Sequence, residues 1–229
     1  MIRAFLGTSL IDYPGRISSV VFIGGCNLHC PFCQNPELVL PDLLEDQYSL
    51  SEDQILASLS ERSGFVEGVC ITGGEPLLYP RIIELVRRIR DELELPVKLD
   101  TNGTLPDMLE ELVPLIDYAS IDIKSSPGRY YEASGGRTGI EPVLKSVETV
   151  RRLDCYELRS TMVPGLVTVE DIELVLALTG RVKRYALQRF RGEKTLSPEF
   201  TGIPPYPREY LEQAAERIRP LAEEVILRA

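Results

Sequence analysis

Three of the five cysteines in this chain sit on one short stretch, Gly24-Gly25-Cys26-Asn27-Leu28-His29-Cys30-Pro31-Phe32-Cys33-Gln34-Asn35, in the spacing C-x3-C-x2-C. An apolar, β-branched run, Ser19-Val20-Val21-Phe22-Ile23, leads directly into it. Three thiols so close together constrain the fold, because their loop must bring them to a common centre. Thiolate sulfur prefers iron–sulfur clusters and zinc to hard cations. A cluster of four irons ordinarily takes four cysteines, so three leave one iron open to a substrate or cofactor. The competing donor set is Cys26, His29, Cys30 and Cys33, which has the composition of a Cys3His structural zinc site. His29 is the single histidine, which excludes a multi-histidine metal site and leaves little room for a histidine-centred triad. Cys70 and Cys155 lie in or beside apolar runs and read as small core residues.

An odd number of cysteines, three of them crowded, suits metal binding in a reducing compartment better than a disulfide framework. The start of the chain carries one basic residue, Arg3, and no apolar core of secretory type. No apolar run approaches the ~20 residues that cross a bilayer. The expectation is a cytoplasmic protein without a membrane partner. A net charge of -10 argues against a dedicated nucleic-acid binder, which would show a basic footprint. The one basic cluster, Arg181, Lys183, Arg184, Arg189, Arg191 and Lys194, reads either as a solvated face or as a contact for an acidic partner.

Apolar periodicity and turn residues place the elements. Met1 to Gly15 is an extended or hairpin lead-in ending in the turn Asp12-Tyr13-Pro14-Gly15. Strands are expected at 18–23, 66–72, 96–99, 119–123, 157–162, 182–188 and 224–227, and helices at 80–93, 106–115, 142–153, 169–178 and 208–219. A further helix starts at Ser51, which forms a capping box with Gln54, and Thr168 does the same with Asp171. Residues 35–50, 125–139 and 192–207 read as loops. Strand then helix, repeated six times with one extra strand, predicts an α/β fold with a parallel sheet. The whole chain, 1–229, reads as one domain, with a core of about 16–190 and an extension over 191–229.

Ligands of such folds bind at the carboxyl ends of the strands, where the unusual polar residues of this chain fall. The cysteines follow the first parallel strand, Gly73-Gly74-Glu75-Pro76 the second, and Asp100-Thr101-Asn102-Gly103 the third. Asp122 and Lys124 close the fourth, Arg159 lies late in the fifth, and Gln188 and Phe190 end the sixth. Each has a plainer reading taken alone. The glycines can make a tight turn, Asn102-Gly103 is a common turn pair, Asp122 and Lys124 can be an ordinary ion pair, and Arg159 can pair with Glu157.

Taken together, the cysteine loop with Phe32 before its last thiol, the Gly-Gly-Glu-Pro and the Asp-Thr-Asn-Gly resemble the radical S-adenosylmethionine (radical SAM) enzymes. Leu10-Ile11-Asp12-Tyr13-Pro14-Gly15, Val163-Pro164-Gly165 and Leu187-Gln188-Arg189-Phe190 narrow the resemblance to the glycyl-radical-enzyme activases. Within them the chain is most similar to the activating protein of anaerobic ribonucleotide reductase, with the pyruvate formate-lyase activating enzyme next. The resemblance covers roughly Leu10 to Phe190.

It implies a partial (β/α)6 TIM-like barrel with a short N-terminal lead-in and an extra C-terminal helix and strand. A 4Fe-4S cluster would sit on Cys26, Cys30 and Cys33, and SAM would chelate the open iron. One-electron cleavage would give methionine and a 5'-deoxyadenosyl radical that takes hydrogen from a glycine Cα. Gly73 and Gly74 would let the backbone approach the ligand, and Glu75 would accept from its ammonium. Lys124 and Arg159 would meet its carboxylate, with Phe32 and Asn102 beside it and Gln188 and Phe190 near adenine. Asp100, Thr101, Asp122 and the Ser120 carbonyl match positions that hold a monovalent cation in the pyruvate formate-lyase activase. Implied partners are a glycyl radical enzyme, anaerobic ribonucleotide reductase first, and an outside reductant such as flavodoxin or ferredoxin. The alternative enzyme is a radical SAM protein acting on a small molecule, like 7-carboxy-7-deazaguanine synthase.

Overall fold

The computed structural model describes residues 1–45 and 48–228. Among them eight strands form one sheet in sequence order: β1 (Ile2–Ser9), β2 (Ser18–Ile23), β3 (Gly68–Gly73), β4 (Val97–Thr101), β5 (Tyr118–Asp122), β6 (Tyr156–Met162), β7 (Val182–Arg189) and β8 (Ala222–Arg228). β1 runs antiparallel to β2, and every later neighbour is parallel. Eight helices punctuate the strands: α1 (Pro41–Glu45), α2 (Glu52–Ser60), α3 (Ile82–Leu93), α4 (Pro106–Leu112), α5 (Tyr130–Ala133), α6 (Glu141–Val150), α7 (Val169–Thr179) and α8 (Arg208–Ile218). β1 and β8 are the two edges and do not pair with each other. The result is a partial (β/α)6 barrel on β2 to β7, with β1 as lead-in and α8 and β8 as the added helix and strand.

Local sequence explains the elements. Both expected capping boxes form, Ser51 with Gln54 ahead of α2 and Thr168 with Asp171 ahead of α7. They satisfy amides that the first turn of a helix leaves unpaired. α3 buries Ile82, Leu85, Val86 and Ile89 on one face, the stripe its spacing predicts. Two expected loops contain short helices. α1 begins on Pro41, whose fixed φ suits a first helical position, and α5 interrupts the 125–139 segment. The loop expected over 35–50 also spans 46 and 47, which lie outside the described residues.

Strand alternation separates two environments. Ile71, Leu99, Ile121 and Leu158, on consecutive strands, are fully buried in the common apolar core. Their neighbours in sequence point to the other side, into the lumen. In a closed barrel that space fills with branched apolar side chains. Here it carries Lys98, Asp100, Asp122, Arg159 and Arg228 around a cavity of about 800 Å³. The polar lumen is the room in which a ligand can sit.

Because Ile71 lies at the centre of the sheet and is fully buried, Ile71→Ala should cost about 2–5 kcal/mol. Urea denaturation of the two proteins measures this, and a loss under 1 kcal/mol would contradict the packing described.

Candidate active site at the open end of the barrel

The three thiols of the loop after β2 open on the lumen cavity, and neither Cys70 nor His29 lines it. His29 is turned aside, with its Nδ1 against the Arg137 guanidinium and its amide donating to the Ser134 carbonyl at 3.1 Å. The Cys3His zinc reading thereby loses its fourth ligand. Among the described residues no three His, Cys, Asp or Glu side chains form a mononuclear metal site. A four-iron cluster asks for something different, since each thiolate takes a separate iron.

Burial raises the Cys26 thiol to about 11 and the Cys30 thiol to about 12, with Lys124 partly opposing it at Cys30, and raises Cys33 as well. Burial therefore favours protonated thiols, and metal binding must expel their protons. Cys26 Sγ accepts from the Leu28 amide at 3.4 Å and faces Asn102 Nδ2 at 3.9 Å. Three soft donors on one cavity, with no fourth thiol beside them, fit a cluster that keeps an open iron.

Backbone contacts fix the loop from below and along one side. Gly74 donates its amide to the Ile23 carbonyl at 2.9 Å, and the Glu75 amide donates to Gly25 at 2.8 Å. The chains approach so closely that a Cβ on Gly73 or Gly74 would lie 2.2 Å from a carbonyl oxygen, of Ile23 or Gly25 respectively. Glycine is required twice in succession there. Along that side, Leu196 donates to the Cys33 carbonyl at 2.8 Å and Ser197 to that of Pro31 at 2.9 Å. The extension beyond residue 190 therefore clasps the cysteine loop.

Several expected site residues stand behind the cavity wall. Glu75 does not line the cavity. Its carboxylate accepts from the amides of Leu77 (3.0 Å) and Asn102 (2.7 Å) and from Thr101 Oγ1 (2.8 Å). Burial raises its pKa to about 7 against those three donors. It joins the β3 and β4 exits rather than facing the lumen. Thr101, Ser120 and Phe190 are likewise buried and off the lining, and Ser120 Oγ donates to Glu157. Phe32, Gly73, Gly74, Asp100, Asn102, Asp122, Lys124, Arg159 and Gln188 all line it.

A chain of alternating charge crosses the lumen from β4 to the exit of β5. Lys98 Nζ pairs with Asp100 Oδ1, and Arg159 Nη1 with Asp100 Oδ2 at 2.8 Å. Arg159 Nε then pairs with Asp122 Oδ1, and Lys124 Nζ with Asp122 Oδ2 at 3.0 Å. Burial alone would raise both carboxyls, but Arg159, with Lys98 or Lys124, holds them below their usual range. Arg159 thus does not pair with Glu157, which instead accepts from Tyr118, Ser120 and Arg228. Lys98 and Arg228 are among the lumen residues that sequence reasoning missed, with Thr72 and Thr161. The signal for Lys98 was parity, as it lies two residues before Asp100 and so on the same strand face.

The basic cluster also comes apart. Lys183 donates to the Leu153 and Asp154 carbonyls, Arg184 pairs with Glu224, and Lys194 pairs with Glu37. Of the six, Arg189 and Arg191 reach the cavity. Cys70 is buried as expected, whereas Cys155 is exposed, on the turn before β6.

Three thiols on one polar lumen at the carboxyl ends of parallel strands are a donor set that suits an iron–sulfur cluster in a barrel enzyme. The comparisons supply the family. Residues 20–179 match the Radical SAM superfamily. A Methanocaldococcus jannaschii protein whose name proposes a glycyl-radical enzyme activating enzyme is 30% identical over 235 residues, covering 100% of this chain and 95% of its own. The pyruvate formate-lyase-activating enzyme of Clostridium pasteurianum is 30% identical over 157 residues, 65% of this chain and 63% of that one. A 7-carboxy-7-deazaguanine synthase of Methanothermobacter thermautotrophicus is 36% identical over 118 residues, 48% of this chain and 42% of the synthase. Among solved structures, SuiB of Streptococcus suis shares the fold with a TM-score of 0.64 at 17% identity, covering 92% of this chain and 48% of SuiB. This chain therefore spans about half the length of SuiB.

The chain belongs to the radical SAM superfamily. It is a radical SAM enzyme, and its cofactors are a 4Fe-4S cluster and SAM. No helix among the described residues is long and apolar enough to cross a membrane.

Because Asp100 and Asp122 titrate below their ordinary value of 3.8, they stabilise the fold fully above that pH and lose the contribution as pH falls beneath it. Arg159→Leu removes the shared cation and leaves the buried Asp100 and the half-buried Asp122 short of a partner, which should cost about 3 kcal/mol near neutrality. The penalty should shrink in acid. Urea midpoints of the two proteins from pH 7 to pH 3 test this, and a penalty that stays constant with pH would contradict it.

Proposed function

We propose that this radical SAM enzyme is an activase that installs a glycyl radical on a partner enzyme, anaerobic ribonucleoside-triphosphate reductase. The observation that carries the reading is the end-to-end likeness to the M. jannaschii protein, over 100% of this chain and 95% of that one. The activase-like segments Leu10–Gly15, Val163–Gly165 and Leu187–Phe190 support it. So does the unclosed sheet, since β1 and β8 do not pair and the lumen stays open to a peptide loop along one side.

The chemistry supplied by the bound cluster and SAM is reductive cleavage of a sulfonium carbon–sulfur bond, yielding methionine and a carbon radical able to take hydrogen from a glycine Cα. The protein's part is placement. Cys26, Cys30 and Cys33 hold three irons. Lys124 and Arg159 offer cationic donors to the SAM carboxylate, with Gly73, Gly74 and Asn102 as neighbouring wall. Phe32 screens the cluster loop, and Gln188 borders the adenine end with Phe190 packed behind it. Glu75 positions the β4 exit through the Asn102 amide and Thr101. An external one-electron donor, a flavodoxin or ferredoxin, serves the cluster, because Cys70 is buried in β3 and Cys155 is exposed near β6 and the two form no second centre.

A second reading rests on the 36% identity to a 7-carboxy-7-deazaguanine synthase, and would make the substrate a small pterin-like molecule. Anaerobic incubation of the reconstituted protein with SAM, reductant and the reductase should produce a glycyl doublet in electron spin resonance. No doublet with any glycyl radical enzyme, together with turnover of a pterin, would replace the activase reading by the second. In either case Cys30→Ala should reduce SAM cleavage to background, because two thiolates cannot hold the cluster. Product analysis for 5'-deoxyadenosine measures this, and full activity in the variant would overturn the assignment of the three ligands.

A further inference from the structure

Lys98 is a lysine in a place that ordinarily refuses one. It is 2% exposed and sits inside the barrel on β4. Its ammonium pairs with Asp100 Oδ1, lies 3.7 Å from Cys70 Sγ, and stands 5.8 Å from the centre of the Tyr118 ring. A buried ammonium is costly unless it is paired. Neither the sequence motifs nor the proposed radical chemistry assigns it a role.

Its effect appears when the carboxylate oxygens of the lumen are counted. Asp100 gives one oxygen to Lys98 and the other to Arg159, and Asp122 gives one to Arg159 and the other to Lys124. All four oxygens already carry a cationic donor. Of the other two positions expected to hold a monovalent cation, the Thr101 hydroxyl donates to Glu75, and neither Thr101 nor Ser120 lines the cavity. A sodium or potassium ion between the two aspartates would have to expel a buried ammonium or guanidinium. It would also enter a cluster that already has three cations against two carboxylates. The donor set does not fit a bound monovalent cation.

We propose that Lys98 is a resident cation, a positioning residue whose ammonium supplies at Asp100 the charge that a monovalent metal ion would supply, so that SAM binds without one. The ammonium is tethered, which makes the arrangement independent of the salt around the protein. Lys98 acts through Asp100 and Arg159 and does not itself touch the reacting atoms. The inference rests on the family's use of SAM and is indifferent to which partner or substrate follows.

The test is SAM affinity of the cluster-loaded protein by calorimetry, in sodium, potassium and tetramethylammonium chloride at one ionic strength. The wild type should bind equally in all three, and its sodium-23 resonance should show no saturable broadening. Lys98→Met leaves Asp100 Oδ1 open toward the lumen. In tetramethylammonium its affinity should fall about tenfold, the worth of a charge-assisted hydrogen bond, and sodium or potassium should restore it. The double variant K98M/D100N, with the charge removed in pairs, should be insensitive to the cation. A saturable gain of wild-type affinity on adding sodium or potassium would overturn the proposal, as would a K98M protein whose affinity ignores the salt. Should K98M fail to fold, the wild-type series and its sodium-23 spectrum decide alone.

Discussion

The structure depends on one arrangement of charge, the row Lys98, Asp100, Arg159, Asp122 and Lys124 inside the barrel. A parallel barrel closes on branched apolar side chains, and this one has exchanged many of them for ions. Each ion taken from water costs several kcal/mol, and mutual attraction offsets that only where every donor and acceptor is met. Here they alternate in sign along the row, and the register of β4 to β6 sets them side by side. Asp122 lies opposite Arg159, and Asp100 opposite Ser120. The outer face of the same strands is mostly apolar, so helix packing carries the stability and frees the lumen for polar work.

The cluster loop shows the same division between support and chemistry. Its thiols face the cavity, yet its geometry is set by groups that never reach a ligand. The paired glycines at the end of β3 dock backbone on backbone beneath Gly25, and the segment at 196–197 holds the loop from one side. Glu75 illustrates how a residue in a binding motif can act from behind. Its three donors come from two loops, so it fixes the relative position of the glycine turn and Asn102. A carboxylate facing the ligand would have left those amides unpaired in the interior.

Much of this was legible in the sequence because it follows from local rules. Period-2 and period-3.6 patterns gave the seven parallel strands and the long helices, with two capping boxes where Ser51 and Thr168 announced them. The thiols, glycines and aspartates were placed at strand exits by counting elements. What escaped was decided across strands. Glu157 and Arg159 share one strand face, and nothing local says that one turns to Tyr118 and Arg228 and the other to two aspartates on other strands. Lys98 was passed over because a lysine within an apolar run reads as an edge or a snorkelling side chain. That Arg184 and Lys194 form ion pairs, Lys183 caps backbone carbonyls, and Arg189 and Arg191 reach the cavity is likewise a tertiary outcome. Cys155 falls outside the core because β6 begins one residue after it, which leaves it on the exposed turn.

The sign of the lumen bears on what it receives. The chain as a whole is strongly acidic, with a net charge of -10, and long-range attraction would draw cations toward it. The row inside has one positive charge more than negative, while Arg228 and Glu157 cancel each other. Such a surplus favours a ligand group that carries negative charge. A carboxylate would answer the surplus charge near Lys124, whereas a further cation would add to it. Low dielectric sharpens that preference. The balance of charge in the lumen thus favours the carboxylate end of a ligand.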